Sequence, residues 1–456
     1  MRLNDSPAAR WTVLIIVATA MMMGYFVNDI MSPLETLLEM PRSQGGLGWT
    51  PSDYGFFSGA GSFINVFLLM LFFSGIILDK MGIRFTGTLA CSLMVLGTLI
   101  KYYAVTTDFG SSDVTFFGTH LPASAAWASF GFAIFGVGYE MTGITVAKAM
   151  VRWFTGHELA LAMGIQLAMA RFGTAAALSI SAPIARHYTL STPLLIALAF
   201  LIIGLLAFLV FCVMDRRLDT ISSPKLGEVR RGLNKGSDSD EFRFSDIGVT
   251  LRNPGFWLIT LFCVLFYSAG SPFLKFSTKL MVMKYSVDPD LAGFFSSIAP
   301  FGTMLFTPLF GLIYDRYGKG VTLVITGAMM LTVVHFGFSM PIHSATVAIA
   351  LMVTLSIGYS LAPAALWPCV PKIIPLKCLG TAYSMIFFIQ NFGRAIIPMC
   401  VGKANETDSS YTTSMLIFGF TALGAAVTAI AMLYVDRKKS YGLQLPNIAH
   451  GVRNDV

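Results

Sequence analysis

An all-α membrane protein, with twelve transmembrane helices in two six-helix bundles and both termini cytoplasmic, is the fold class that this 456-residue chain predicts. Three observations lead there. Hydrophobic residues make up 55% of the chain and charged residues 12%, and the mean hydropathy is +0.70; a soluble domain carries ~25% charged residues. Twelve apolar stretches each reach the ~20 residues that a spanning helix needs. A motif after the second stretch, Gly75-Ile-Ile-Leu-Asp79-Lys-Met-Gly82-Ile-Arg84, returns after the eighth as Gly311-Leu-Ile-Tyr-Asp315-Arg-Tyr-Gly318-Lys319, so the halves repeat each other.

The first six spans are expected near 11–31, 52–78, 83–106, 125–150, 157–185 and 190–214. The second six are expected near 254–284, 291–314, 320–341, 344–370, 378–400 and 411–434. The short alternating segments that build membrane β-barrels are absent from the sequence. The basic start and apolar run at the N-terminus reach Tyr25-Phe-Val-Asn-Asp29 without a small-residue cleavage site, so the first run reads as a retained helix. A polar segment rich in charge, Gly and Ser separates the two sets of spans. The predicted division is an N-terminal bundle over 1–214, a cytoplasmic linker over 215–253, a C-terminal bundle over 254–440 and a cytoplasmic tail over 441–456.

The net charge of +7 reports orientation and not nucleic-acid binding. Lys80, Arg84, Arg152, Arg316, Lys319, Lys372, Lys377 and the basic run 437–439 share a side with the linker; Arg42, Arg186, Lys284 and Lys403 fall on the other. Positive residues concentrate in cytoplasmic loops, which predicts both termini inside. The six Trp lie near predicted helix ends, as an interfacial belt would place them. The six Cys show neither metal spacing nor a disulfide framework. No nucleophile elbow, metal-spaced His/Cys set or phosphate loop is present, so the sequence predicts no enzyme, no cofactor, no metal and no ATP-driven step.

Ionisable residues inside apolar runs are costly and mark function. Glu140 and Arg171 lie at similar distances on either side of the turn near Thr155, and antiparallel helices rising ~1.5 Å per residue bring them to one depth. Glu140 suits an ammonium group, and the planar fork of Arg171 suits a carboxylate. The same two residues also fit a structural bridge between the fourth and fifth helices. Lys275 and Lys279, four apart on one face of span 7, offer a further cation from the other half. Lys275 is the favoured one, with snorkelling to water as its competing role. Lys101 reads as a snorkelling side chain, Arg394 as either a site residue or a packing partner, and His335 as structural. Tyr25, Asn65, Trp367 and Asn391 read as cavity-lining groups. Gly270-Ser-Pro272 predicts a hinge or break in span 7. Asn405-Glu-Thr407 is a glycosylation sequon.

The string at 75–84 resembles the loop between helices 2 and 3 of the major facilitator superfamily. That resemblance implies two bundles rocking about a central cavity. It makes Asp79, Gly82, Arg84, Asp315 and Arg316 a cytoplasmic gate, with Asp79 accepting hydrogen bonds and Gly82 permitting a tight turn. WFTGHELALAMGIQLAMARFG at 153–173, FGVGYE at 135–140, ALWP at 365–368, LGTAY at 379–383 and IQNFG at 389–393 are similar to the lysosomal dipeptide uniporter group and its bacterial relatives. This closer resemblance implies that Glu140, Arg171 and a helix 7 lysine handle substrate. Phe132 stands where many proton-coupled members carry arginine, and TAAALS at 174–179 lacks the Gly-Pro-rich string of antiporters, which counts against antiport.

The expected function is a membrane transporter moving dipeptides or similar small amino-acid derivatives by alternating access, as a monomeric uniporter. Its partners are a small zwitterionic peptide and the lipid bilayer, with no nucleic acid or nucleotide. Two other readings fit the sequence: a proton-coupled transporter of peptides or organic anions, and a non-transporting membrane receptor or scaffold. A bacterial inner membrane is the expected location, a lysosomal membrane the alternative.

Overall fold

The computed structural model describes residues 6–110, 112–116, 119–154, 159–221, 251–374 and 379–446. Most of the linker, the end of the tail, Lys377 and Cys378 lie outside the described residues. In chain order the helices are α1 (Pro7–Asp29), α2 (Glu35–Glu39), α3 (Pro51–Ala60), α4 (Phe63–Phe67), α5 (Met70–Thr106), α6 (Ala123–Phe154), α7 (Leu159–His187) and α8 (Thr192–Ile221) in the first half. The second half holds α9 (Pro254–Tyr285), α10 (Pro289–Tyr317), α11 (Gly320–Ser339), α12 (Ala345–Ile373), α13 (Leu379–Thr407) and α14 (Thr412–Lys439). A two-stranded hairpin, β1 (Asp113–Phe116) against β2 (Thr119–Pro122), joins α5 to α6.

Among the described residues, eleven helical segments are long and apolar enough to cross a bilayer. The expected second span is the exception, because it is broken. Thr50 caps α3 through a capping box with Asp53, but helical order lapses at Gly61-Ser62 and again at Leu68-Leu69, where Leu69 takes a left-handed backbone (φ 53°). The start of α5 completes that span. The helix then bends at Gly82 (φ 81°, ψ 173°) and runs on as the third. Gly318, the repeat of Gly82, also has positive φ, at 70°, so the two motifs turn the chain alike. Only glycine takes such a conformation without strain.

Burial follows membrane logic. On α8, Ile203, Leu206, Val210 and Val213 face outward and are exposed, a lipid-facing stripe. Inward contacts use small residues. A Cβ on Gly97 of α5 would stand 2.4 Å from the Gly131 carbonyl oxygen of α6, and one on Gly327 of α11 would stand 2.7 Å from the Gly358 oxygen of α12. The third–fourth and ninth–tenth spans thus pack by the same device.

The halves meet as a two-fold relation requires, second span on eleventh and fifth on eighth. A Cβ on Gly55 of α3 would lie 2.8 Å from Gly402 Cα of α13, and one on Gly293 of α10 would lie 2.0 Å from the Leu178 oxygen of α7. These contacts gather at the end that carries Trp49 and Glu406, here the Trp49 end. Ser52 adds a hydrogen bond to Glu406 across the halves, and Arg186 lies 3.8 Å from Asp290. In the nearby loop after α13, the Ser410 hydroxyl and the Thr413 amide hold the Asp408 carboxyl well below the usual carboxylate range.

Several expectations are corrected. Helix α9 runs unbroken through Gly270-Ser-Pro272: the Tyr359 ring fills the space beside Gly270, where a Cβ would be 2.1 Å from Tyr359 Cε2. Lys101 does not snorkel; it is fully buried, donates to the Val27 carbonyl at 3.3 Å and lies over the rings of Phe132 and Phe135. Trp49 and Trp153 are buried and hydrogen-bonded to Ser124 and Asp215, and only Trp127 and Trp257 are exposed as belt residues would be. Asn405 is buried within α13, so its sequon is not displayed in this conformation.

Candidate functional site

A chamber of about 290 Å³ lies between the halves. The first half lines it with Tyr25 and Asp29 of α1, Tyr139 and Glu140 of α6, and Arg171 and Thr174 of α7. The second half supplies Tyr267 and Ser271 of α9, Tyr359 and Trp367 of α12, and Gln390, Asn391 and Arg394 of α13. These are the first, fourth and fifth helices of each half, so the repeat puts equivalent faces on both walls. The glycines beside Arg171 and Asn391 make this possible. Gly173 presses on α1, where its Cβ would be 2.2 Å from the Met22 oxygen, and Gly393 presses on α9, at 1.8 Å from Ser268 Oγ.

Glu140 and Arg171 do line one chamber, but they do not pair. Arg394 Nη1 donates to Glu140 Oε1 at 2.7 Å, joining the two halves. Arg171 makes no ion pair among the described residues; Tyr25, Tyr139, Tyr267 and Tyr359 line the same chamber. Tyr25 and Tyr139 meet edge to face, with centroids 5.0 Å apart. Trp367 Nε1 donates to the Tyr267 hydroxyl at 3.0 Å, and the Tyr383 hydroxyl donates to the Trp367 carbonyl at 3.2 Å. On the opposite wall Asn391 Nδ2 is bound to the Phe387 carbonyl at 2.9 Å, while Asn391 Oδ1 and Gln390 Oε1 accept nothing from the described residues. The chamber thus offers on one wall a cationic fork with no ion pair among the described residues, with aromatic faces beside it, while the unmet Asn391 and Gln390 oxygens are buried behind the other wall.

Lys275 is not free. Its ammonium lies 2.7 Å from Asp29 Oδ1 and donates to the Asn28 carbonyl. Thr174 Oγ1 donates to the other Asp29 oxygen at 2.9 Å, and Tyr54 donates to the Lys275 carbonyl at 3.0 Å. The Phe132 ring sits between two ammonium groups, Lys101 at 4.9 Å and Lys275 at 5.3 Å. Lys275 therefore borders the chamber as a link between α1 and α9. Lys279 points one turn further out, to Glu35 and Glu39. Asn65 is also away from the chamber, with Nδ2 donating to the Gly136 carbonyl at 3.2 Å.

At the opposite end, Arg84 Nε lies 3.8 Å from Asp215 Oδ2, while Asp215 Oδ1 receives Arg152 at 3.0 Å and the Trp153 indole. Arg84 thus reaches the end of α8. The Asp79 side chain lies outside the described ones, Asp315 has contacts of its own, and Arg316 lies 5.6 Å over the Tyr317 ring. In the second half Lys372 donates to the Tyr314 hydroxyl at 2.9 Å and to the Leu445 carbonyl at 2.7 Å, clasping the chain after α14.

The residues missed from sequence are Asp29, Tyr139, Tyr267, Tyr359 and Gln390. Arg394 reads from sequence as either a site residue or a packing partner for a helix-end carbonyl, and the structure pairs it with Glu140. Helical spacing carried a signal for one missed residue and for Arg394: Asp29 lies four residues after Tyr25, and Arg394 three after Asn391, so each shares its neighbour's face.

Twelve segments in two repeated halves, around a chamber with charged walls, define a membrane carrier. The chain belongs to the Major Facilitator Superfamily, whose profile matches residues 114–398. It is therefore a multi-pass transporter and not an enzyme. A lysosomal dipeptide transporter MFSD1 from Danio rerio is 28% identical over 392 residues, 83% of this chain and 78% of the relative. Among solved structures, a D-xylose-proton symporter aligns at TM-score 0.67 with 14% identity, over 92% of this chain and 97% of that one. A POT family transporter in complex with a thioalcohol-conjugated peptide aligns at TM-score 0.67 with 16% identity, over 93% and 96%. A sugar carrier and a peptide carrier fit equally well, so these structures report the fold alone.

Proposed function

We propose that this transporter moves dipeptides, or similar small zwitterionic amino-acid derivatives, down their gradient by alternating access. The observation that carries the reading is an unpaired Arg171 in the same chamber as a Glu140–Arg394 pair made across the halves. A zwitterion answers both features. Its carboxylate takes the Arg171 fork, and its ammonium competes with Arg394 for Glu140. The displaced Arg394 can then turn to the same carboxylate. A bound ligand so replaces one protein pair with bonds to both halves, and binding is linked to their closure. A peptide N–H suits the unmet acceptors Gln390 Oε1 and Asn391 Oδ1. A chamber of about 290 Å³ lies at the small end of ligand sites, which favours short peptides. The relatives named as lysosomal dipeptide transporters support the same substrate class.

Uniport is supported by Phe132, an aromatic ring packed between Lys101 and Lys275 with no proton to exchange. Counterflow of labelled dipeptide in proteoliposomes tests both parts. The reading expects counterflow with dipeptides, none with simple organic anions, and no uphill uptake when a pH gradient is imposed. Counterflow with anions alone ends the zwitterion model, and pH-driven accumulation ends uniport.

A further inference from the structure

We propose that Glu35, Glu39 and Lys279 form a proton-binding lock that closes the Trp49 end of the transporter. Two carboxylates from α2, in the first half, converge on one ammonium from α9, in the second. Lys279 Nζ lies 3.3 Å from Glu35 Oε1 and is hydrogen-bonded to Glu39 Oε1. Glu35 is fully buried, and its Oε2 has no partner among the described residues. The charged or titratable groups around the triad are Asp53 and Tyr54 of α3 and Tyr411 at the start of α14, with the Asp29–Lys275 pair one layer deeper. None of these adds a second cation to the triad.

With both carboxylates ionised, the triad holds one uncompensated negative charge, shared by a fully buried Glu35 and a partly buried Glu39. With one proton bound it is neutral. Two acids sharing a buried site do not both stay ionised at low cost. When the halves part, α2 and α9 separate and water reaches the carboxylates, so both ionise. Closing this end therefore takes one proton from the compartment it faces, and opening returns that proton to the same side. The proton sets the balance between open and closed states without being cargo. The inference rests on alternating access but not on the identity of the ligand.

The test is a distance measurement without ligand. Spin labels at Ser43 and Ser409, both exposed at this end and on opposite halves, are placed on a cysteine-free background. From about pH 8 to about pH 5 the ratio of closed to open molecules should rise, by up to about tenfold per pH unit for one proton. Glu35→Gln should remove that dependence and hold the closed form at alkaline pH. Glu39→Gln should act likewise and serves where Glu35→Gln does not fold. A wild-type ratio that ignores pH, or full pH dependence kept in the folded variants, overturns the lock. A distance that dipeptide shifts but pH does not sinks the lock alone; a distance that neither shifts ends alternating access at this end as well.

Discussion

Arg394 and Glu140 lie 254 residues apart in sequence and meet at 2.7 Å, the second half's cation on the first half's anion, in the chamber between them. The pair leaves Arg171 as the cation available to a ligand. Breaking this partly buried pair on one side leaves the other charge unpaired. Arg394→Ala and Glu140→Gln should each lower stability by about 1–3 kcal/mol, and Glu140→Gln/Arg394→Met should recover part of that loss. A double-mutant cycle in thermal unfolding checks this. Additive single effects would deny the interaction.

Arg171 should behave differently. It has no charged partner to strand, so Arg171→Ala should leave the melting temperature nearly unchanged. A charged hydrogen bond to a carboxylate contributes about 1.5–3 kcal/mol, so dipeptide affinity should fall roughly 10- to 150-fold. Arg171→Lys should recover only part, since a point charge replaces a planar fork. Calorimetric titration reads the affinity directly.

Lys275 links α9 to Asp29 of α1, and Asp29 is held in turn by Thr174. Lys275→Met and Asp29→Asn should therefore change how fast the protein cycles more than how tightly it binds. The expected result is a fall in the maximal uptake rate of about tenfold or more, with KM within a few-fold of wild type. A large rise in KM with an intact rate would return Lys275 to direct ligand contact.

Gly402 and Gly55 let α13 and α3 touch at the Trp49 end. Gly402→Val places a branched side chain where no Cβ fits, which should hold that end apart. Transport should fall sharply while the protein stays folded, and the distance between labels at Ser43 and Ser409 should lengthen. Normal transport would show that this helix contact is dispensable.

Much of this was legible in the residues. Hydropathy is a local property, so nearly every span followed from composition over a score of positions, and the repeat at Gly82 and Gly318 marked two matching turns. Glu140 and Arg171 stood out because ionisable groups in apolar runs are rare. The break at Leu68-Leu69 was hidden, since neither residue disfavours helix strongly. Gly270-Ser-Pro272 misled in the other direction, because the glycine makes room for Tyr359 and the helix runs on.

The chain alone carried nearly all of the spans, the repeated motif and the presence of costly charges, because each depends on neighbours within a few helical turns. Which charge answers which was settled by the docking of the two halves. Glu140 found Arg394, Lys275 found Asp29 and Lys279 found two glutamates, because electrostatic partners are chosen by distance in space, and that distance exists only once both bundles have packed.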